Sequence, residues 1–282
     1  MIRLPERIID FHVHLFPDRL FDAIWKHFIS DYGWDVLYHF YYRECVDHLR
    51  KNGIGPIAYS NYAHRKGTAK NLNEWNIKVL DETPDLCCFA AYHPEDEDGP
   101  DMAASIVRHP KILGFKLQLL VQCFYPHDER LRPLYDILME NGKWLLIHAG
   151  TGPVGNEFTG IHHFKKLLKQ YPDMRIIVPH MGALEYEEFG ALLDDCPNIY
   201  LDTAYSFIPQ TKSGFLSSSL GIEFLEKYQD RILYGSDFPN LIFPREVEIE
   251  TLLSLNLSQS FYDKIFWRNG WEIIKSHSEM IP

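Results

Sequence analysis

The chain reads as α/β, closed into a (β/α)8 TIM barrel with an aromatic-rich insertion after its first strand. Three observations lead there. Short runs rich in Ile, Leu, Val, Phe and Tyr recur along the chain, eight in all. Amphipathic stretches with helix stop signals separate them. No linker, low-complexity tract or composition break divides the 282 residues, a length that α/β barrels reach as one domain. Apolar runs without strict alternation suit parallel strands buried on both faces, and eight of them alternating with helices make a barrel. A single domain over residues 1–282 is expected.

The first run, Arg7–Leu15 (RIIDFHVHL), opens the barrel. Residues 16–41 then carry Phe16, Phe21, Trp25, Phe28, Trp34, Tyr38, Phe40 and Tyr41. Such a segment packs on the barrel rim, and at the catalytic end it can act as a lid over an apolar pocket. Tyr42–Lys51 is a helix stopped by Asn52-Gly53, a C-terminal cap signal. Strand two is Gly55–Tyr62, followed by a helix over Thr68–Glu82 that ends before Pro84. Strand three is Leu86–His93, with a helix at Asp101–His109 ending before Pro110. Strand four is Ile112–Leu119, and the helix Glu129–Glu140 stops at Asn141-Gly142. Strand five is Lys143–Ala149, followed by the helix Ile161–Gln170. Strand six is Arg175–Met181, followed by Glu185–Asp195. Strand seven is Asn198–Ala204 and leads through a helix over Gly214–Tyr228 to strand eight, Arg231–Asp237. Helices over Arg245–Ser254 and Ser258–Lys275 close the chain.

Composition narrows the function. The net charge is −11 and no basic stripe is present, which argues against nucleic acid and anionic membrane surfaces as partners. The five cysteines are odd in number, include the adjacent Cys87 and Cys88, and form no C-x-x-C pair. Reduced thiols and no structural zinc knuckle are expected. Arg3, Glu6 and Arg7 break up the N-terminal apolar stretch, so no signal peptide is read there and a cytoplasmic location is expected. No run is long enough to span a bilayer. A small-molecule substrate is the expected partner.

The chemistry sits at strand ends, where barrel active sites are built. His12 and His14 occupy positions i and i+2 of strand one and so share a face; Phe11 and Val13 are expected to face the helices, and Asp10 lies one step deeper. His148 ends strand five, His180 strand six and Asp237 strand eight. Each alone is a polar strand end with a local partner. Together they are the imidazole and carboxylate set of a catalytic zinc-type ion that keeps one position open.

The motifs D-F-H-V-H, G-F-K-L-Q, L-I-H-A-G, V-P-H-M-G and Y-G-S-D-F-P occur in order along nearly the whole chain. The closing segment Phe261–Ile274 has Asn269-Gly270 at the place of a usual N-A. In these the chain resembles the amidohydrolase superfamily, specifically the family 2 branch that holds aminocarboxymuconate-semialdehyde decarboxylase and related decarboxylases and hydrolases. The resemblance implies that His12, His14, His148 and Asp237 bind one divalent ion, most often Zn2+. It implies that His180 orients or deprotonates the reacting water, with Asp237 sharing the proton transfer. Lys116, in G-F-K-L-Q, is either a carbamylated bridge between two metals, as in binuclear members, or an ordinary ammonium that pairs with a carboxylate or anchors substrate; the second fits the mononuclear branch. Relatives are often homodimers.

Substrate contacts are less defined. Asn61, His64 and Arg65 follow strand two, His93 ends strand three and Tyr205 follows strand seven. Arg65 or His64 would clamp a carboxylate; His93 is equally suited to a capping role. The reading is a metal-dependent hydrolase of a C–N or C–O bond. The alternative is a metal-dependent decarboxylase of an aromatic or unsaturated carboxylic acid, and a catalytically silent binding protein on the same barrel is a third.

Overall fold

The computed structural model describes residues 3–208 and 214–277. Eight parallel strands run in sequential order, β1 (Ile8–His14), β2 (Ile54–Ser60), β3 (Leu86–Ala91), β4 (Ile112–Gln118), β5 (Trp144–His148), β6 (Ile176–Val178), β7 (Ile199–Asp202) and β8 (Ile232–Leu233). The seam between β8 and β1 is closed by main-chain hydrogen bonds: Phe11 N to Tyr234 O at 2.9 Å, Asp237 N to His12 O at 2.8 Å and His14 N to Phe238 O at 2.8 Å. The α/β barrel read from the sequence is therefore the observed fold.

The helices are α1 (Asp18–His27), α2 (Tyr42–Lys51), α3 (Ala69–Glu82), α4 (Gly99–Ile106), α5 (Leu119–Gln122), α6 (Arg132–Glu140), α7 (Ile161–Gln170), α8 (Tyr186–Asp195), α9 (Gly221–Lys227), α10 (Glu246–Ser254), α11 (Gln259–Asp263) and α12 (Asn269–Lys275). Among the described residues none is long and apolar enough to cross a membrane. Several expected boundaries shift. Strand six ends at Val178, not Met181, because Pro179 offers no N–H to the ladder and His180 and Met181 turn left-handed, at φ 58° and 55°. Strand eight keeps only Ile232–Leu233 in the ladder; the chain beyond bonds to β1. The expected helix Asp101–His109 instead begins at Gly99, with Pro100 in its first turn, where its missing N–H costs nothing. The expected closing helix is interrupted by a π-helical turn at Lys264–Arg268.

The apolar residues form two clusters. The larger lies between strands and helices and includes Val13, Ile57, Tyr59, Phe115, Leu145, Ile147 and Val178 with helix residues such as Leu72 and Leu134. The smaller gathers the alternate strand positions Ala58, Phe89, Trp144, Leu146, Ile177 and Leu233, with Ile273 and Ile274 of α12 against them. Val13 faces outward as expected. Phe11 does not: it joins the smaller cluster, with its ring 6.0 Å from that of Phe89. A register shift between Asp10 and Val13 adds a residue to β1 and breaks its strict alternation. Close strand approach also matters. Gly114 lies opposite Trp144, and a Cβ there would stand 1.7 Å from the Trp144 carbonyl oxygen. Only glycine lets β4 and β5 pair in the register that sets Lys116 beside Leu146 and Gln118 beside His148.

Candidate metal centre and active site

Strand direction delivers the polar side chains to one end of the barrel. Nε2 of His12 and Nε2 of His14 stand 3.2 Å apart, and Oδ1 of Asp237 lies 3.4 Å from the first and 2.9 Å from the second. These three ligand-type atoms face one point. Around a tetrahedral ion with ligand bonds near 2.0–2.1 Å, neighbouring donors are about 3.3 Å apart, so the observed spacings fit a divalent cation. His12 is oriented from behind, its Nδ1 2.9 Å from Oδ2 of the buried Asp202. A carboxylate on the far ring nitrogen fixes the proton there and leaves Nε2 as the ligand atom.

Asp202 is the residue that sequence reasoning missed. It ends β7 just as the other chosen residues end their strands, and that position was its signal. Its Oδ1 accepts from His180 N at 2.9 Å and Ala204 N at 3.1 Å, so one carboxylate braces both His12 and the turn that carries His180. Burial pushes its pKa up, but His12 and His180 more than offset this and hold it below the usual carboxylate range. His12, His180 and Asp202 also form a second group of close donor atoms.

His180 Nδ1 is 3.0 Å from the Ala204 carbonyl. A carbonyl only accepts, so the neutral ring carries its proton on Nδ1 and exposes a lone pair on Nε2. Burial, the main cause, depresses its pKa and favours that neutral form. His148 is arranged the opposite way: Nε2 donates to Gly152 O at 2.8 Å, and Nδ1 is buried without a partner. The His148 ring packs against His180 at 4.8 Å between centroids. It does not belong to either close donor group among the described residues. Burial also pushes Asp237 up, but the His14 hydrogen bond and the neighbouring imidazoles bring it below the usual range.

Lys116 is fully buried, its Nζ has no hydrogen-bond partner, and burial lowers its pKa to about 8 against the pull of Asp202 and Asp237. It does not line the cavity described next.

That cavity, of about 760 Å³, opens over the centre and is lined at its base by His14, His148, His180 and Asp237. The segment between β1 and α2 supplies Phe28, Tyr32 and Trp34 to its wall, facing Tyr62, Tyr205 and Phe243. Trp34 stacks on Tyr205 at 5.8 Å and 8° between planes. Tyr205 is held in a left-handed conformation, φ 57°, with its hydroxyl donating to Asn240 O at 2.6 Å. The other sequence candidates separate. His64 is exposed and lines the cavity. Arg65 is exposed and does not. Asn61 spends its amide on Leu15 O and on Asn76 inside the wall. His93 uses Nδ1 to accept from Glu95 N at 3.3 Å, the capping role.

Comparison with known proteins agrees with this architecture. The chain is similar to an uncharacterized TIM-barrel protein from Bordetella bronchiseptica (18% identity, TM-score 0.73, covering 96% of this chain and 99% of that one). It is similar to 5-carboxyvanillate decarboxylase from Novosphingobium aromaticivorans, solved with manganese and 4-hydroxy-3-methoxy-5-nitrobenzoic acid (16% identity, TM-score 0.66, 95% and 96% covered). It is also similar to dihydroorotase from Campylobacter jejuni (16% identity, TM-score 0.60, 97% and 84% covered). No curated protein matches it significantly. The family model described as amidohydrolase matches residues 9–270, and the chain is an enzyme of the amidohydrolase family.

Proposed function

We propose that the protein is a hydrolase that opens a C–O or C–N bond of a small, largely apolar molecule with the help of one divalent ion. The observation that carries the reading is the convergence of His12 Nε2, His14 Nε2 and Asp237 Oδ1 within 3.4 Å of one another at the base of the cavity. These three residues would hold the ion, and the unpartnered Nδ1 of His148 would serve as a fourth donor. Zinc is the ion we favour; manganese, present in the decarboxylase structure, suits the same imidazole and carboxylate set. Such an ion supplies a Lewis acid and makes water acidic enough to ionise near neutral pH.

The chain's own groups move the protons. His180, neutral and with Nδ1 committed to Ala204 O, accepts the water proton at Nε2. Asp237, on the cavity surface beside it, relays that same proton from His180 to the departing nitrogen or oxygen. The aromatic wall excludes water and orients the substrate. Lys116, buried within reach of the charges of Asp202 and Asp237, balances them. Carbamylation of its amine would instead remove that positive charge.

A second reading, decarboxylation of an aromatic acid, is favoured by the aromatic lining and by the likeness to 5-carboxyvanillate decarboxylase. One assay separates the two. Metal-loaded protein is offered aryl esters, lactones and anilides, and in parallel hydroxybenzoic acids, with alcohol, amine and carbon dioxide detected. Alcohol or amine release is the expected result. Carbon dioxide release alone overturns hydrolysis, and protein that purifies without a divalent ion and takes none up overturns both.

A further inference from the structure

We propose that Asp10 and Ser236 form a lock across the β8–β1 seam that sets the separation of His12 and Asp237. This rests on the reading of those two as metal ligands. β8 pairs with β7 through only two residues and Asp237 lies beyond them, so its backbone is tied across the seam to β1 by a few main-chain hydrogen bonds. Asp10 is fully buried. Its Oδ1 accepts from His12 N at 3.2 Å on its own strand and from Ser236 N at 3.0 Å on the other side. Its Oδ2 accepts the Ser236 hydroxyl proton at 2.5 Å. The Ser236 hydroxyl in turn accepts from Phe238 N at 3.1 Å. One carboxylate therefore holds the main chain of one ligand directly and, through Ser236, both neighbours of the other.

Asp237 sits between the two held residues with φ 67°. Aspartate visits that backbone more readily than most side chains, and here its surroundings over-determine it. The Asp10–Ser236 pair, with Asp237 N bonded to His12 O, is that over-determination. Gly235 completes the arrangement: a Cβ there would stand 2.6 Å from the His12 Cβ, so the strand can come close enough for the lock to reach. Asp10 touches neither the cavity nor the converging donor atoms, and it acts as a positioning residue.

The test is the dissociation constant of Mn2+ alone, by chelator competition on folded metal-free protein, with the unfolding temperature recorded for each variant. Wild type is expected to bind one equivalent and His14→Ala to bind far more weakly. Ser236→Ala, which removes one hydroxyl, is expected to raise the dissociation constant by about 10- to 100-fold, the usual effect of losing a group that orients a ligand. Asp10→Asn moves it in the same direction. If Asp10→Asn fails to fold, Ser236→Ala decides. A Ser236→Ala variant that melts earlier but binds Mn2+ within about twofold of wild type overturns the lock and leaves the metal centre standing. Wild type that takes up neither Mn2+ nor Zn2+ overturns the metal reading itself.

Discussion

Replacing Asp202 by Asn probes how His12 is presented. Asp202 Oδ1 is occupied by two main-chain N–H groups, at 2.9 and 3.1 Å, so the amide oxygen of Asn takes that place. Its NH2 then faces His12 Nδ1, where Oδ2 had stood at 2.9 Å. Two donors cannot share that contact, and the ring shifts its proton to Nε2. The nitrogen that faces His14 and Asp237 then has no lone pair to give. Loss of a carboxylate behind a ligating histidine costs 10- to 100-fold in metal affinity, or about 1.4–2.7 kcal/mol. Chelator competition with Zn2+ or Mn2+ measures it, and circular dichroism confirms that the variant is folded. A dissociation constant within about twofold of wild type would refute the claim that Asp202 sets the His12 tautomer. A loss beyond about a thousandfold would make Asp202 a ligand itself, in the group it forms with His12 and His180.

His148→Ala is expected to abolish tight metal binding, read by metal analysis of the purified variant; full metal content would remove His148 from the site. His180→Asn is expected to retain the ion while kcat falls by about 10²–10⁴, the usual share of a positioned base, and metal loss there would instead make His180 a ligand. Glu248→Gln tests a buried carboxyl under the β7 loop, which accepts from Phe207 N at 3.2 Å and whose pKa burial raises well above the usual range. The folded state holds that proton more tightly than the unfolded chain, so its contribution to stability is full below about pH 4 and is lost as pH rises. Urea unfolding should therefore show the variant gaining on wild type between pH 4 and pH 8; a pH-independent difference contradicts the assignment.

How far the sequence could be read follows from what each feature depends on. The strands were legible because burial on both faces selects continuous apolar runs, and the α2 and α7 boundaries coincide with their caps, Asn52-Gly53 and the residues before Pro172. The end of β8 was not, because ladder pairing stops where the partner strand diverges and no local residue records that, whereas Pro179 does mark the end of β6. His12, His14 and Asp237 were legible as types at strand ends. The bulge in β1 was not, since it is a property of pairing with β2, and it sends Phe11 inward where alternation puts it outward.

The partners of those ligands were the least legible part, for a physical reason. A ligand is recognisable by its own chemistry, but a residue that orients a ligand is recognisable only by distance. Asp10 is far from Ser236 in sequence and Asp202 far from His12, yet each pair meets within 3 Å across a strand boundary. Both acids are buried without a lysine or arginine in hydrogen-bond contact, an expense that a folded protein bears only where the carboxylate satisfies several donors at once. Asp10 satisfies His12 N, Ser236 N and the Ser236 hydroxyl. Asp202 satisfies His180 N and Ala204 N and faces His12. Counting the donors that a buried acid serves therefore separates these two from a surface aspartate, and it places the rigidity of the site in the seam and the β7 end rather than in the ligands themselves.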